Sequence, residues 1–401
     1  MLAVSTATQP VSWRDPKRFA WPLGLLIPLM PFMAWGLVEA TGSGVFWFWG
    51  PMFVLGVLPV FDTLVGKDAA NPPDSVIKWL EQDRYYRWCT YAYLPLQYLA
   101  MVGGAWLLTG SDLSLLEKLG LALTLGAVNG FGINTAHELG HKRASLERWL
   151  SKVALAPACY GHFFIEHNRG HHVRVATPED PASSRLGESF YRFWPRTVAG
   201  SLRSAWHLET ERLSRQDRSP WTLRNDLLNA WLMSVVLFGV LAAFFGIAVV
   251  PFLLVQAVYG FTLLESVNYM EHYGLLRQKR DDGTDRYERC QPYHSWNSDN
   301  VASNVLLYHL QRHSDHHAHP TRRYQSLRHC EDAPELPSGY PLMIVIALVP
   351  PLWRRVMDPR LLAHYDGDVT RANIHPPVRD RILRRYGAAP GSADPSASVA
   401  A

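Results

Sequence analysis

The chain has 401 residues, a formal net charge of +4 and fifteen Trp. So weak and scattered a charge argues against a nucleic-acid partner, and no Lys/Arg block with interleaved aromatics runs along one face. The four cysteines, Cys89, Cys159, Cys290 and Cys330, form no CxxC pair, which argues against a disulfide framework or a Cys-based metal site and fits a reducing compartment.

Mean hydropathy near zero conceals strong segregation of apolar and polar stretches. A helix needs about 20 apolar residues to cross a bilayer. Six stretches meet that length, at about 19–39, 44–65, 88–109, 114–136, 227–246 and 247–270. The run after Lys17 and Arg18 is too long for a signal-peptide core and lacks a small-residue cleavage site, so it reads as the first span. Thr41 to Gly44, Gly110 to Asp112 and Gly246 mark three tight hairpins. The predicted fold is all-α, a polytopic membrane protein in one domain over 1–386, with a helical cap at 137–226 and 271–386.

Lys and Arg are almost absent from the hairpins and frequent on the other side. The positive-inside rule therefore puts both termini and the cap in the cytoplasm, at a bacterial-type inner membrane. The Pro-containing apolar run at 340–353 is short for a crossing and reads as a re-entrant or interfacial helix. Residues 387–401 are rich in Ala, Pro, Ser and Gly and read as a disordered tail or linker.

Most of the seventeen histidines are clustered. His137 and His141 stand at i and i+4, at the cytoplasmic end of the fourth predicted span. His167, His171 and His172 follow at i, i+4 and i+5, and His313, His316 and His317 at i, i+3 and i+4; His272 stands just past the sixth span. All fall on the side assigned from Lys and Arg alone. Imidazole suits Zn, Cu, Fe and Ni. Nine imidazoles exceed what one tetrahedral ion takes and suit two ions with open positions, two oxygen-binding irons being the natural reading while zinc stays open. His137 to His141 also satisfies HExxH, the zinc-protease signature with Glu138 as base, but that reading leaves most of the clustered histidines unexplained.

Longer strings carry a resemblance. These are His137 to Lys142, Glu166 to Ser184, Asn268 to Leu275 and Leu310 to Arg328. On them the chain, over about 15–385, resembles the membrane-bound alkane 1-monooxygenases, relatives of the integral-membrane fatty acid desaturases and hydroxylases. The resemblance implies six spans and a cytoplasm-facing, non-haem di-iron centre. It implies nine ligands: His137, His141, His167, His171, His172, His272, His313, His316 and His317. It also implies O2 as co-substrate, electrons from rubredoxin and terminal hydroxylation of alkanes taken from the bilayer. The alternative within the superfamily is a fatty acyl desaturase or hydroxylase. No CxxC pair is present to hold a rubredoxin iron, so the donor is expected as a separate protein or as a domain fused after residue 401.

Candidates to orient the imidazoles are Glu138, Glu166, Asp180, Glu271, Asp315 and, with a structural role as the alternative, His309. Arg169, Arg174, Arg312, Arg322 and Arg323 are candidate donor-docking residues, since the donor is acidic by family analogy. His162 and His294 read as ordinary histidines. A substrate route is expected between the first, second, third and sixth spans, its far end shaped by Trp47, Trp49 and Phe53, whose alternative role is interfacial anchoring.

Overall fold

The computed structural model describes residues 13–387. Among them every regular element is helical, and the extended backbone amounts to isolated bridges. Of the tail expected at 387–401, all but Gly387 lies outside the described residues.

Five helices are long and apolar enough to cross a membrane: Trp21–Thr41, Gly44–Val65, Leu115–Gly140, Asp226–Phe245 and Ile247–Glu271. The stretch expected at 88–109 is the helix Tyr93–Gly110. Its Gln97, Pro95, glycines and tyrosines make it less apolar than the other five. The hairpin expectations match local backbone. Gly42 and Gly246 take φ of +69° and +83°, a region open to glycine without a Cβ penalty. Ser114 and Glu117 form a reciprocal capping box that starts the Leu115–Gly140 helix.

The Leu115–Gly140 helix is the central post, and its last two turns are buried throughout. It lies directly against Ile247–Glu271, because glycines remove the side chains between them. A Cβ on Gly126 would stand 2.6 Å from the Gln256 carbonyl oxygen, and one on Gly260 would stand 3.1 Å from that of Gly126. Gly126 and Gly130 make the small-xxx-small spacing that lets membrane helices approach closely. A buried amide relay ties in a third helix. Gln97 donates to Asn129 at 2.8 Å, Asn129 to Gln256 at 2.5 Å, and Gln256 to the Pro157 carbonyl at 2.6 Å. Such groups need internal partners where there is no water.

The apolar run at 340–353 forms two short helices, Tyr340–Ala347 and Pro350–His364. The first has eight residues, too few to cross, and is mostly buried between Ile247–Glu271 and the Gly44–Val65 helix. The cap also contains the long Phe190–Ser214 helix, packed on the Glu166–His171 turn.

Close backbone approach at the central post gives a stability prediction. Gly126→Leu should force the two helices apart and cost about 1–3 kcal/mol, the range for overpacking. A lower midpoint of thermal unfolding in detergent would register it; an unchanged midpoint would show that this contact is dispensable.

Candidate metal centre

The four histidine groups arrive from different parts of the chain. His137 lies in the last turn of Leu115–Gly140, and His141 caps its end. His272 caps the end of Ile247–Glu271. His313, His316 and His317 sit on the six-residue helix His313–Ala318.

Glu166–His171 winds as a π-helical turn. In an α-helix, at about 100° per residue, the residue at i+5 would point roughly 140° away from residue i. The wider turn instead places His171 and His172 on either side of His167. Turns of this kind recur at functional sites.

The nine rings form two abutting groups. His137, His141, His167, His172 and His316 make one, and His171, His272, His313 and His317 the other; within each, one ring nitrogen per residue lies within 4.8 Å of all the others. The ring centroids of His172 and His317, across the boundary, are 4.4 Å apart. Neighbouring His171 and His172 thus serve different groups, as do His316 and His317.

The nitrogens face one another as metal-binding nitrogens do. Nε2–Nε2 separations are 3.0 Å for His137–His316, 3.2 Å for His316–His172, 3.2 Å for His172–His167 and 2.8 Å for His313–His317. Nε2 of His141, His171 and His272 is buried without any hydrogen-bond partner. An unpaired buried polar group costs about 1–3 kcal/mol. One cation in each group would satisfy all these nitrogens, so the donor set fits two metal ions bound by imidazole. Five nitrogens in one group exceed a closed tetrahedral zinc shell.

Two carboxylates touch the rings. Asp180 accepts from His171 Nδ1 at 2.9 Å and from the Ser183 hydroxyl at 2.6 Å. Burial works to raise the Asp180 carboxyl, but its contacts with His171 and the Ser183 hydroxyl hold it down to about 2. Glu271 Oε2 lies 3.2 Å from His313 Nε2, while its other oxygen accepts from the Tyr340 hydroxyl at 2.8 Å. Tyr340 had no sequence signal, and neither did the His294 carbonyl, 3.4 Å from His272 Nδ1.

The other supporting candidates hold backbone and helices instead. Glu138 pairs with Lys142 at 3.0 Å and Glu166 with Arg174 at 2.6 Å. Asp315 binds Arg322 and the Arg328 amide. His309 is a correction: it donates or accepts between Lys17 and the Tyr324 carbonyl, both at 3.0 Å, and packs on Trp21, apart from both groups. With Glu138 occupied by Lys142 and three further histidines beside the HExxH pair, a protease site has neither its free base nor its ligand number.

The docking candidates need a similar correction. Arg312 is 1% exposed and donates to the carbonyls of Leu327, Asp68 and Ala70. It anchors the start of the His313–Ala318 helix and has no face to offer a partner. Arg169 is bound to Glu209 and Asp226, Arg174 to Glu166, Arg322 to Asp315 and Arg323 to Glu147. Charge in the sequence did not reveal that each was already paired.

An apolar cleft of about 50 Å³ runs toward the histidines, lined by Val54, Leu58, Phe131, Leu263, Tyr340 and Ile344 among others. A smaller one continues it to His137, His167 and His313, the two sharing Asn134, Leu264, Val267 and Leu310. The route therefore passes between the second, fourth and sixth expected spans and the Tyr340–Ala347 helix, not beside the first and third. Trp47, Trp49 and Phe53 are outside its lining.

Comparison with known proteins agrees with this geometry. The fatty acid desaturase family model matches residues 118–347. An alkane 1-monooxygenase of Acinetobacter baylyi is 48% identical over 93% of this chain and 92% of its own length. Alkane 1-monooxygenase 1 of Alcanivorax borkumensis is 48% identical over 96% and 95%, and an alkane 1-monooxygenase of Ectopseudomonas oleovorans is 46% identical over 96% of each.

Burial, reinforced by neighbouring imidazoles, pushes His141, His167, His313, His316 and His317 well below their usual 6.5, and burial takes His272 to about 3. These bases gain protons when released, so stability is full above the unfolded value and is lost as pH falls through it. The metal-free protein should therefore melt at progressively lower temperature below about pH 6.5. A flat melting temperature between pH 7.5 and 5 would contradict this.

Proposed function

The chain belongs to the alkane 1-monooxygenase family, and from that membership we propose that it hydroxylates the terminal carbon of alkanes at a non-haem di-iron centre. The observation that carries the reading is the five-and-four division of nine imidazoles at the end of an apolar cleft. His137, His141, His167, His172 and His316 would hold one iron, and His171, His272, His313 and His317 the other. Bound there, the two irons supply the redox chemistry by which O2 attacks an unactivated C–H bond.

The protein's own groups do the positioning. Asp180 accepts the Nδ1 proton of His171 and so directs its Nε2 inward. The Tyr340 hydroxyl holds Glu271 beside His313. The polar side chains of the larger cleft are already engaged, the Asn134 amide by the Leu307 carbonyl at 2.7 Å and the Tyr340 hydroxyl by Glu271. Selection of the chain end therefore falls to confinement, which orients a terminal methyl toward the histidines. Phe163 stacks on His167 at 4.7 Å and closes one side of the approach.

Electrons are proposed to come from rubredoxin. The protein is proposed to sit in the inner membrane, with the five apolar helices and Tyr93–Gly110 as six crossings and the centre on the cytoplasmic face. The excess of Lys and Arg outside the hairpins supports this placement.

Purified protein assayed with NADH, a rubredoxin reductase, rubredoxin and an alkane should yield the 1-alkanol and contain two irons per chain. His316→Ala and His317→Ala, one per group, should each lose bound iron and lower turnover at least 100-fold, about the upper cost for disturbing a metal shell. Desaturated acyl chains in place of alkanol would assign the desaturase activity instead; full iron content in both variants would remove these residues from the ligand set.

A further inference from the structure

Beside the histidines, sharing Phe163, His167 and Asn268 with the inner part of the cleft, lies a second cavity. His162, Glu166, Ser201 and Glu265 line it together with the rings of His167 and His171. It touches one member of each histidine group. Its room is that of about one water molecule, the least a hydrated site requires.

Two of its polar atoms are buried without a hydrogen-bond partner: Nε2 of His162 and Oε2 of Glu166. Their residues are 4% and 3% exposed. The other carboxylate on the wall is saturated, since Glu265 accepts from the hydroxyls of Tyr160 at 2.6 Å and Thr197 at 2.9 Å. Buried polar groups left unpaired are rare, and a water with two or more polar partners is the usual remedy. Burial holds the His162 imidazole down to about 4, so it is neutral and can pair with a water.

We propose that one ordered water is bound here, bridging His162 and Glu166, and that it supplies protons to the centre beside His167 and His171. The role rests on the reaction proposed above: R–CH3 + O2 + 2 e⁻ + 2 H⁺ → R–CH2OH + H2O. A C–H and the O–O bond break, and C–O and O–H bonds form. The alkane is oxidised, dioxygen is reduced, and the two electrons come from rubredoxin. Two protons must therefore reach a buried site. The larger cleft is lined almost wholly by apolar side chains and carries none. The water cavity leads through Glu166 to Arg174, whose side chain is 30% exposed. His162 acts as a positioning residue that holds the water in place.

The test uses the full chain loaded with iron. A map at a resolution that shows ordered water should have a peak within hydrogen-bonding distance of both His162 Nε2 and Glu166 Oε2. His162→Phe, which fills the cavity, should keep its iron yet form about tenfold less alkanol per NADH, with hydrogen peroxide released instead. That is a smaller loss than removing a general acid outright. His162→Gln, which keeps a polar group in the cavity, should retain most of the wild-type ratio. If His162→Phe does not hold iron, His162→Leu takes its place. An empty cavity in the map overturns the water site. Wild-type coupling in an iron-loaded apolar variant overturns the proton role. Wild-type protein with iron and the water but no alkanol would count against the reaction itself.

Discussion

The controlling constraint is that nine ring nitrogens are made to face one another inside the protein. Without a cation the arrangement has no good solution. The single Nε2 of His316 stands 3.0 Å from that of His137 and 3.2 Å from that of His172, and could share at most one proton between them. The Nε2 atoms of three other rings have no hydrogen-bond partner. Such an assembly is stable only if cations replace the missing hydrogen bonds, and it keeps its imidazoles neutral because protonation would add like charges in a dry space. Metal affinity and folding are therefore coupled.

The backbone around the site follows from this demand. A six-residue helix is far too short to form alone. His313–Ala318 exists because Arg312 ties its start to three carbonyls and Asn297 accepts from the Ser314 amide at 2.9 Å. The π-helical turn is a second device, bringing three histidines to one side where a regular helix would lose one. Its Gly170 is required for a spatial reason. A Cβ there would collide with the Glu166 carboxylate and stand 2.6 Å from the Arg174 guanidinium. Short elements braced from outside, hung on two long helices locked by glycine contacts, give rigidity where the chemistry needs it.

The sequence disclosed what is local or regularly spaced. Apolar runs of membrane length and histidines at helical intervals are of that kind, and five of the six runs form helices long and apolar enough to cross a membrane. What it concealed depends on distant partners. The division of His171 from His172 needs the π-helical turn. The saturation of Arg169, Arg322 and Arg323 needs carboxylates far along the chain or in another element. Arg312 reads as a surface cation in a basic stretch, yet it is a buried brace. Tyr340 meets Glu271 across 69 positions, and no local pattern announces it. His162 looked ordinary because its only distinction is a ring nitrogen left unpaired in a cavity.

The two approaches to the histidines differ in polarity, and that difference bears on selectivity. An alkane brings no donor, acceptor or charge, so an apolar cleft cannot tell one carbon from another by hydrogen bonding, and a methylene more or less is worth only about 1–3 kcal/mol. Position along the chain must be decided by how far the cleft lets the molecule advance and which end fits against Phe163 and His167. Water admitted from that side would widen the choices open to the oxidant. The apolar cleft serves the hydrocarbon and the water cavity the protons, and Phe163, His167 and Asn268 stand between the two.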